Sequence, residues 1–103
     1  MRFIQRIAEG CNVIRATMKR VGADVILLYR LTEEQVPASC GRARLAYSLT
    51  VTQIDRGGRR RRVKRLRDIT ASRAEAVRIY KLVSRGRVFP SSVAEIVSDL
   101  ISI

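Results

Sequence analysis

Arg56, Arg59, Arg60, Arg61, Arg62, Lys64, Arg65 and Arg67 place eight cations within twelve residues. That concentration suits a polyanion, because a guanidinium presents a planar fork of donors that matches phosphate oxygens. Extended at about 3.3 Å per residue, Arg59 to Arg67 would reach roughly 26 Å, comparable to several phosphates along a nucleic-acid strand. No aromatic residue interleaves with the run. Stacking platforms for bases are therefore missing. Binding would grip the backbone with little sequence preference and strong salt dependence. The competing reading is a solvated strand whose charge blocks edge-to-edge aggregation.

The other reactive side chains offer less. The chain has no His, the commonest general base and metal ligand. Cys11 and Cys40 are too far apart in sequence for a Cys-x-x-Cys zinc pair. Cys11 falls on an apolar stripe and reads as core. Cys40 sits beside Gly41, Arg42 and Arg44, where cations could lower a thiol pKa, or it is an incidental exposed thiol. Glu33-Glu34 reads as a solvated loop pair. Glu75 and Glu95 read as helix-capping residues, and Asp68 as a carboxylate ahead of a helix start. There is no Gly-rich phosphate loop. The expectation is therefore a non-enzyme with no catalytic residue, no cofactor and no metal ligand.

These residues need elements to hold them. At 103 residues the chain fits one domain, and with 47% hydrophobic residues it can build a core. Only 5% are aromatic and there is no Trp, so that core is aliphatic. The net charge of +12 and a pI near 11.3 point to an anionic partner or surface. No apolar run is long enough to span a membrane, and charges break the first residues too often for a signal peptide. A cytoplasmic location is the default.

Ile4, Ile7, Ala8, Cys11, Ile14, Met18 and Val21 have helical spacing, so residues 1–21 read as an N-terminal amphipathic helix or extension. Phe3 also reads as apolar core. Met18 offers an alternative start that would make the first 17 residues dispensable. Asp24 to Thr32 reads as a strand, and Glu33 to Arg42 as a loop. Leu45, Tyr47, Leu49 and Val51 alternate with polar residues, which gives a second strand with one buried face. Asp55-Arg56-Gly57-Gly58 is a turn, and Arg59 to Ile69 returns as a third strand. Val63, Leu66 and Ile69 are three apart, which demands a bulge or a later strand start.

Ser72-Arg73-Ala74-Glu75 has capping-box spacing, followed by a stripe of Ala74, Val77, Tyr80 and Val83 widened by Ala76, Ile79 and Leu82. Gly86 ends that helix. Ser92-Val93-Ala94-Glu95 repeats the capping signal before Val93, Ile96, Val97, Leu100 and Ile101. The fold class expected is α+β: a three-stranded antiparallel meander packed by two C-terminal helices, with residues 22–103 as the single domain.

Tyr29-Arg30-Leu31-Thr32-Glu33 and Tyr47-Ser48-Leu49-Thr50-Val51 resemble the strands of a known family. Asp68-Ile69-Thr70, Ala76-Val77, Leu82-Val83, Val88-Phe89-Pro90 and Ile96-Val97-Ser98-Asp99-Leu100 continue the likeness. The family is domain-of-unknown-function family 6514, short uncharacterised Firmicutes proteins. The resemblance covers about 70% of the chain and implies a bacterial cytoplasmic origin. It supplies no activity and no functional residue. The family's usual Tyr-Gly is Tyr47-Ser48 here, and a long arginine run is not part of its pattern.

Two functions are expected. The first is a small non-enzymatic binding or regulatory module acting through protein–protein contacts, with a protein partner or a homodimer. The second is nonspecific nucleic-acid binding through the basic hairpin Arg56 to Arg67.

Overall fold

The computed structural model describes residues 11–37 and 41–101. They form a four-stranded antiparallel sheet followed by two helices: β1 (Cys11–Val21), β2 (Val25–Pro37), β3 (Ala43–Ile54), β4 (Arg61–Thr70), α1 (Arg73–Arg85) and α2 (Pro90–Ile101). The strand order in the sheet is the chain order, so β1 and β4 are the edges. The α+β class and the two C-terminal helices stand. The sheet has four strands where three were expected, and the N-terminal helix is corrected.

Residues 11–21 are extended and paired with β2, from Cys11 opposite Glu34 to Val21 opposite Val25. Residues 1–10, including Phe3, lie outside the described residues. The helical reading has a physical source. A register shift between Val13 and Arg15 inserts Ile14 as an extra residue. It spoils the two-residue alternation, and Ile14, Met18 and Val21 then fall at helix-like intervals. Cys11, read as core, is half-buried at the start of this strand.

The expected loop from Glu33 to Arg42 is corrected as well. β2 runs on to Pro37, with Glu33 opposite Tyr47 and Glu34 opposite Ala46. Residues 38–40, Cys40 among them, lie outside the described residues. Two charged residues in an interior strand need partners, and they have them. Tyr47 donates its hydroxyl to Glu33 at 2.6 Å, Arg73 lies 3.4 Å from the same carboxylate, and Arg65 lies 3.5 Å from Glu34. The Glu33 carboxylate, by accepting that hydrogen bond, holds the Tyr47 hydroxyl above its ordinary pKa, with burial adding to the effect.

Of the two devices anticipated for the basic strand, the bulge occurs, while the strand starts inside the arginine run rather than after it. β4 starts at Arg61, after the tight turn Arg56–Gly58, in which Gly57 (φ 69°) and Gly58 (φ 73°) adopt the left-handed backbone that glycine tolerates. A bulge then separates the pairs Leu49–Leu66 and Tyr47–Thr70. Asp68 sits in the bulge with φ 53°, its backbone N–H donating to the buried Ser48 hydroxyl and its carboxylate paired with Arg44 at 2.6 Å. Asp68 therefore belongs to the strand rather than to a helix start. The Arg44 guanidinium holds its carboxyl below the usual range.

The helices cover one face of the sheet. Leu27, Tyr29 and Leu31 of β2 and Tyr47, Leu49 and Val51 of β3 pack against Ala76, Ile79, Tyr80 and Val83 of α1 and Val93 and Val97 of α2. The hydroxyls of Thr17 and Tyr80 hydrogen-bond, tying β1 to α1. Leu45, Ala74 and Leu82, expected in the core, are exposed.

Ser72 caps α1 as expected, its hydroxyl accepting from the Glu75 N–H at 3.2 Å. Only half of the capping box forms. The Glu75 carboxylate pairs with Arg78, and Ser72 N–H donates to Thr70. Ser72→Ala should cost about 1 kcal/mol, read as a lower midpoint in urea at unchanged slope. The second capping signal misplaced its helix. α2 begins at Pro90, a residue suited to a first turn, so Ser92 and Glu95 lie inside it.

Candidate anion-binding surface

A strand presents alternate side chains to opposite faces, and this splits the basic run. Arg61, Val63 and Arg65 of β4 oppose Ile54, Thr52 and Thr50 of β3, on the face away from the helices. Arg62 and Lys64 oppose Gln53 and Val51, on the helix side. Arg59 and Arg60 are exposed just before the strand, Arg67 is exposed in the bulge, and Arg56 opens the tight turn. The run is one edge in space, but it is not one face.

Among the described residues, ion pairs hold Arg65 to Glu34 and Arg44 to Asp68, while none holds Arg59, Arg60, Arg61, Arg62, Lys64 or Arg67. Their charge is available to an external anion. Among the described residues, no further strand lies beyond the edge they line.

On the helix side, β4 and α2 enclose a groove of about 520 Å³. Leu66, Ile69, Val97 and Ile101 give it an apolar floor, Lys64 and Arg67 stand on its β4 side, and Asp68, whose carboxylate is paired with Arg44, also lines it. Sequence reasoning missed this groove. The signal was the exposed end of the α2 stripe, where Ile101 remains 45% exposed.

The helix-free face carries further cations that sequence reasoning did not single out. Arg20 of β1 lies opposite Ile26 and Arg30 of β2 opposite Ala16, both on that face. A depression of about 290 Å³ lies between them, lined by Ala16, Met18, Leu28, Arg30, Thr50 and Thr52. Arg20 and Arg30 were hidden because the first was assigned to a helix.

Among the described residues, no tyrosine ring reaches either surface. Tyr29, Tyr47 and Tyr80 are all buried on the helix side, with hydroxyls bonded to the Val88 carbonyl, Glu33 and Thr17. No group of three or more potential metal ligands occurs among the described residues. No helix among them is long and apolar enough to cross a membrane.

The sequence pattern of the Family of unknown function (DUF6514) matches residues 10–103. This extends the likeness beyond the Tyr29 to Leu100 stretch and takes in all of β1. No curated protein and no solved structure matches the chain.

Proposed function

From a chain that belongs to the DUF6514 family, whose function is unknown, we propose a small non-enzymatic binding module that engages an acidic protein partner. The observation that carries this reading is the groove between β4 and α2. An apolar floor flanked by Lys64 and Arg67, neither held in an ion pair, fits an acidic peptide with aliphatic side chains better than it fits a bare phosphate backbone. The open edge of β4 adds unpaired backbone groups to which an extended segment can hydrogen-bond.

One observation favours the second reading, nucleic-acid binding. Arg59, Arg60, Arg61, Arg62, Lys64 and Arg67 are exposed along an open edge, and their splay to both faces lets a phosphate strand run between them. Such binding would be nonspecific, since nothing here reads a base edge or stacks on one.

Fluorescence anisotropy separates the two. A labelled acidic peptide carrying interspersed leucines, a labelled poly-glutamate and a labelled DNA duplex are titrated at several salt concentrations. The protein-partner reading expects the leucine-bearing peptide to bind at near-physiological salt and more tightly than poly-glutamate. Lys64→Ser with Arg67→Ser should then weaken it by about tenfold, as for losing two charge-assisted contacts. A duplex that binds with a steep salt slope while the peptide does not would replace the first reading with the second. Failure of all three probes at low salt sinks both.

A further inference from the structure

The pairing registers define the helix-free face row by row. One row crosses the sheet as Met18, Leu28, Thr52 and Val63. On one side of it lies the row Arg20, Ile26, Ile54 and Arg61. On the other lies the row Ala16, Arg30, Thr50 and Arg65. An aliphatic line is therefore bracketed by four arginines.

The exposure is unusual for aliphatic side chains. Met18 is 64% exposed and Val63 57%, while Leu28 between them is half-buried in the floor of the depression. The dimensions suit a helix. Three strand spacings make the row roughly 14 Å long, and four residues of strand separate the arginine rows by roughly 13 Å. An α-helix with its side chains is about 10–12 Å wide.

We propose that this face docks an amphipathic helix from an acidic partner. The helix would lay an aliphatic stripe along Met18, Leu28 and Val63 and turn carboxylates on its two flanks toward Arg20 and Arg61 on one side and Arg30 on the other, where Arg65 is shared with Glu34. The proposal rests on the acidic-partner reading above, but at a surface separate from the β4–α2 groove. Charge selects this occupant. A second copy meeting the same face about a two-fold axis would bring arginine rows against arginine rows. A nucleic-acid backbone gains nothing from the aliphatic row, and none of the three rows carries a ring for its bases. Met18 adds a flexible, polarizable contact that adapts to a partner's side chains.

The test uses the full chain and a designed helical peptide of about 14 residues, long enough to cross all four strands. It carries leucines at i, i+3, i+4 and i+7 with glutamates on both flanks. A scrambled peptide of the same composition, and a DNA duplex, serve as competitors. Met18→Ser with Val63→Ser removes the exposed aliphatics without touching the core, and Arg20→Ser with Arg30→Ser removes two arginines that lie outside the basic run. Each pair should weaken the designed peptide by about tenfold or more, and the arginine pair should also lower the salt slope. Amide shifts on binding should fall on β1, β2 and β3 and on Arg61 to Arg65 of β4.

If the scrambled peptide binds equally well, or the shifts fall on Lys64 to Ile69 and α2 alone, the docking face is overturned while the acidic-partner reading stands. Binding of the duplex with neither peptide overturns both.

Discussion

Raising the pH from 10 to 12 should remove about 2 kcal/mol of stability from this protein, and Tyr29→Phe should abolish most of that loss. Tyr29 is 1% exposed, between β2 and the helices, with its hydroxyl donating to the Val88 carbonyl at 2.9 Å. Burial pushes its pKa from 10.0 up to about 12, and the nearby Arg87 charge pulls it back only in part. The unfolded chain ionises at the ordinary value and the folded one does not. The stabilisation is therefore whole below pH 10 and disappears as pH rises through the folded value. Tyr47, raised in the same direction, adds to the trend. Urea midpoints at pH 8, 10, 11 and 12 give the answer. Phe should cost about 1 kcal/mol at pH 8, from the orphaned Val88 carbonyl, and then show a flatter profile. Identical alkaline losses in the two proteins would remove Tyr29 as the cause.

The second large effect lies on α1. Ile79→Ala should destabilise by about 2–5 kcal/mol, whereas Leu82→Ala three residues later should stay within about 0.5 kcal/mol. Ile79 is fully buried against the sheet and α2, and Leu82 is 44% exposed. Both are large aliphatics on one helix, so composition and helix propensity do not separate them. Only the direction of the helix face does. Equal costs would mean that α1 is rotated relative to the sheet. The same comparison bears on function, because α1 and the sheet together fix the side of β4 on which Arg62 and Lys64 emerge.

That contrast shows where the sequence could be read and where it could not. Local signals were legible. Tyr47, Leu49 and Val51 alternate because one face of β3 is covered, and Ser72 caps because its hydroxyl reaches the Glu75 N–H. The three-residue spacing of Leu66 and Ile69 reflects the bulge that Asp68 occupies, while Val63 lies on the other face and is exposed. Signals that depend on partners were not legible. Ile14 as a bulge residue makes β1 imitate a helix. Glu33 and Glu34 look like loop residues until Tyr47, Arg73 and Arg65 are placed beside them. The candidate site divided in the same way. Arg59 to Arg67 were conspicuous as a run, but their division between two faces follows from register. Arg20 joins Arg61 only once β1 is known to be a strand, and Arg30 joins Arg65 only through the registers of β2, β3 and β4.

The order of strands has a kinetic consequence. Each strand lies beside the one that precedes it in the chain, and α1 starts only three residues after β4 ends. The native pairings therefore have low contact order: β1 and β2 can zip from the Gly22 turn, and β3 and β4 from the Gly57–Gly58 turn, with little loop-closure entropy to overcome. The joins that must wait are Thr17 with Tyr80, 63 residues apart, and Tyr29 with Val88, 59 apart. They form when the helices settle onto the finished sheet. A newly made chain can thus assemble its cationic edge early. By then the arginines already keep that edge from templating onto a neighbouring chain, before the core beneath it has closed.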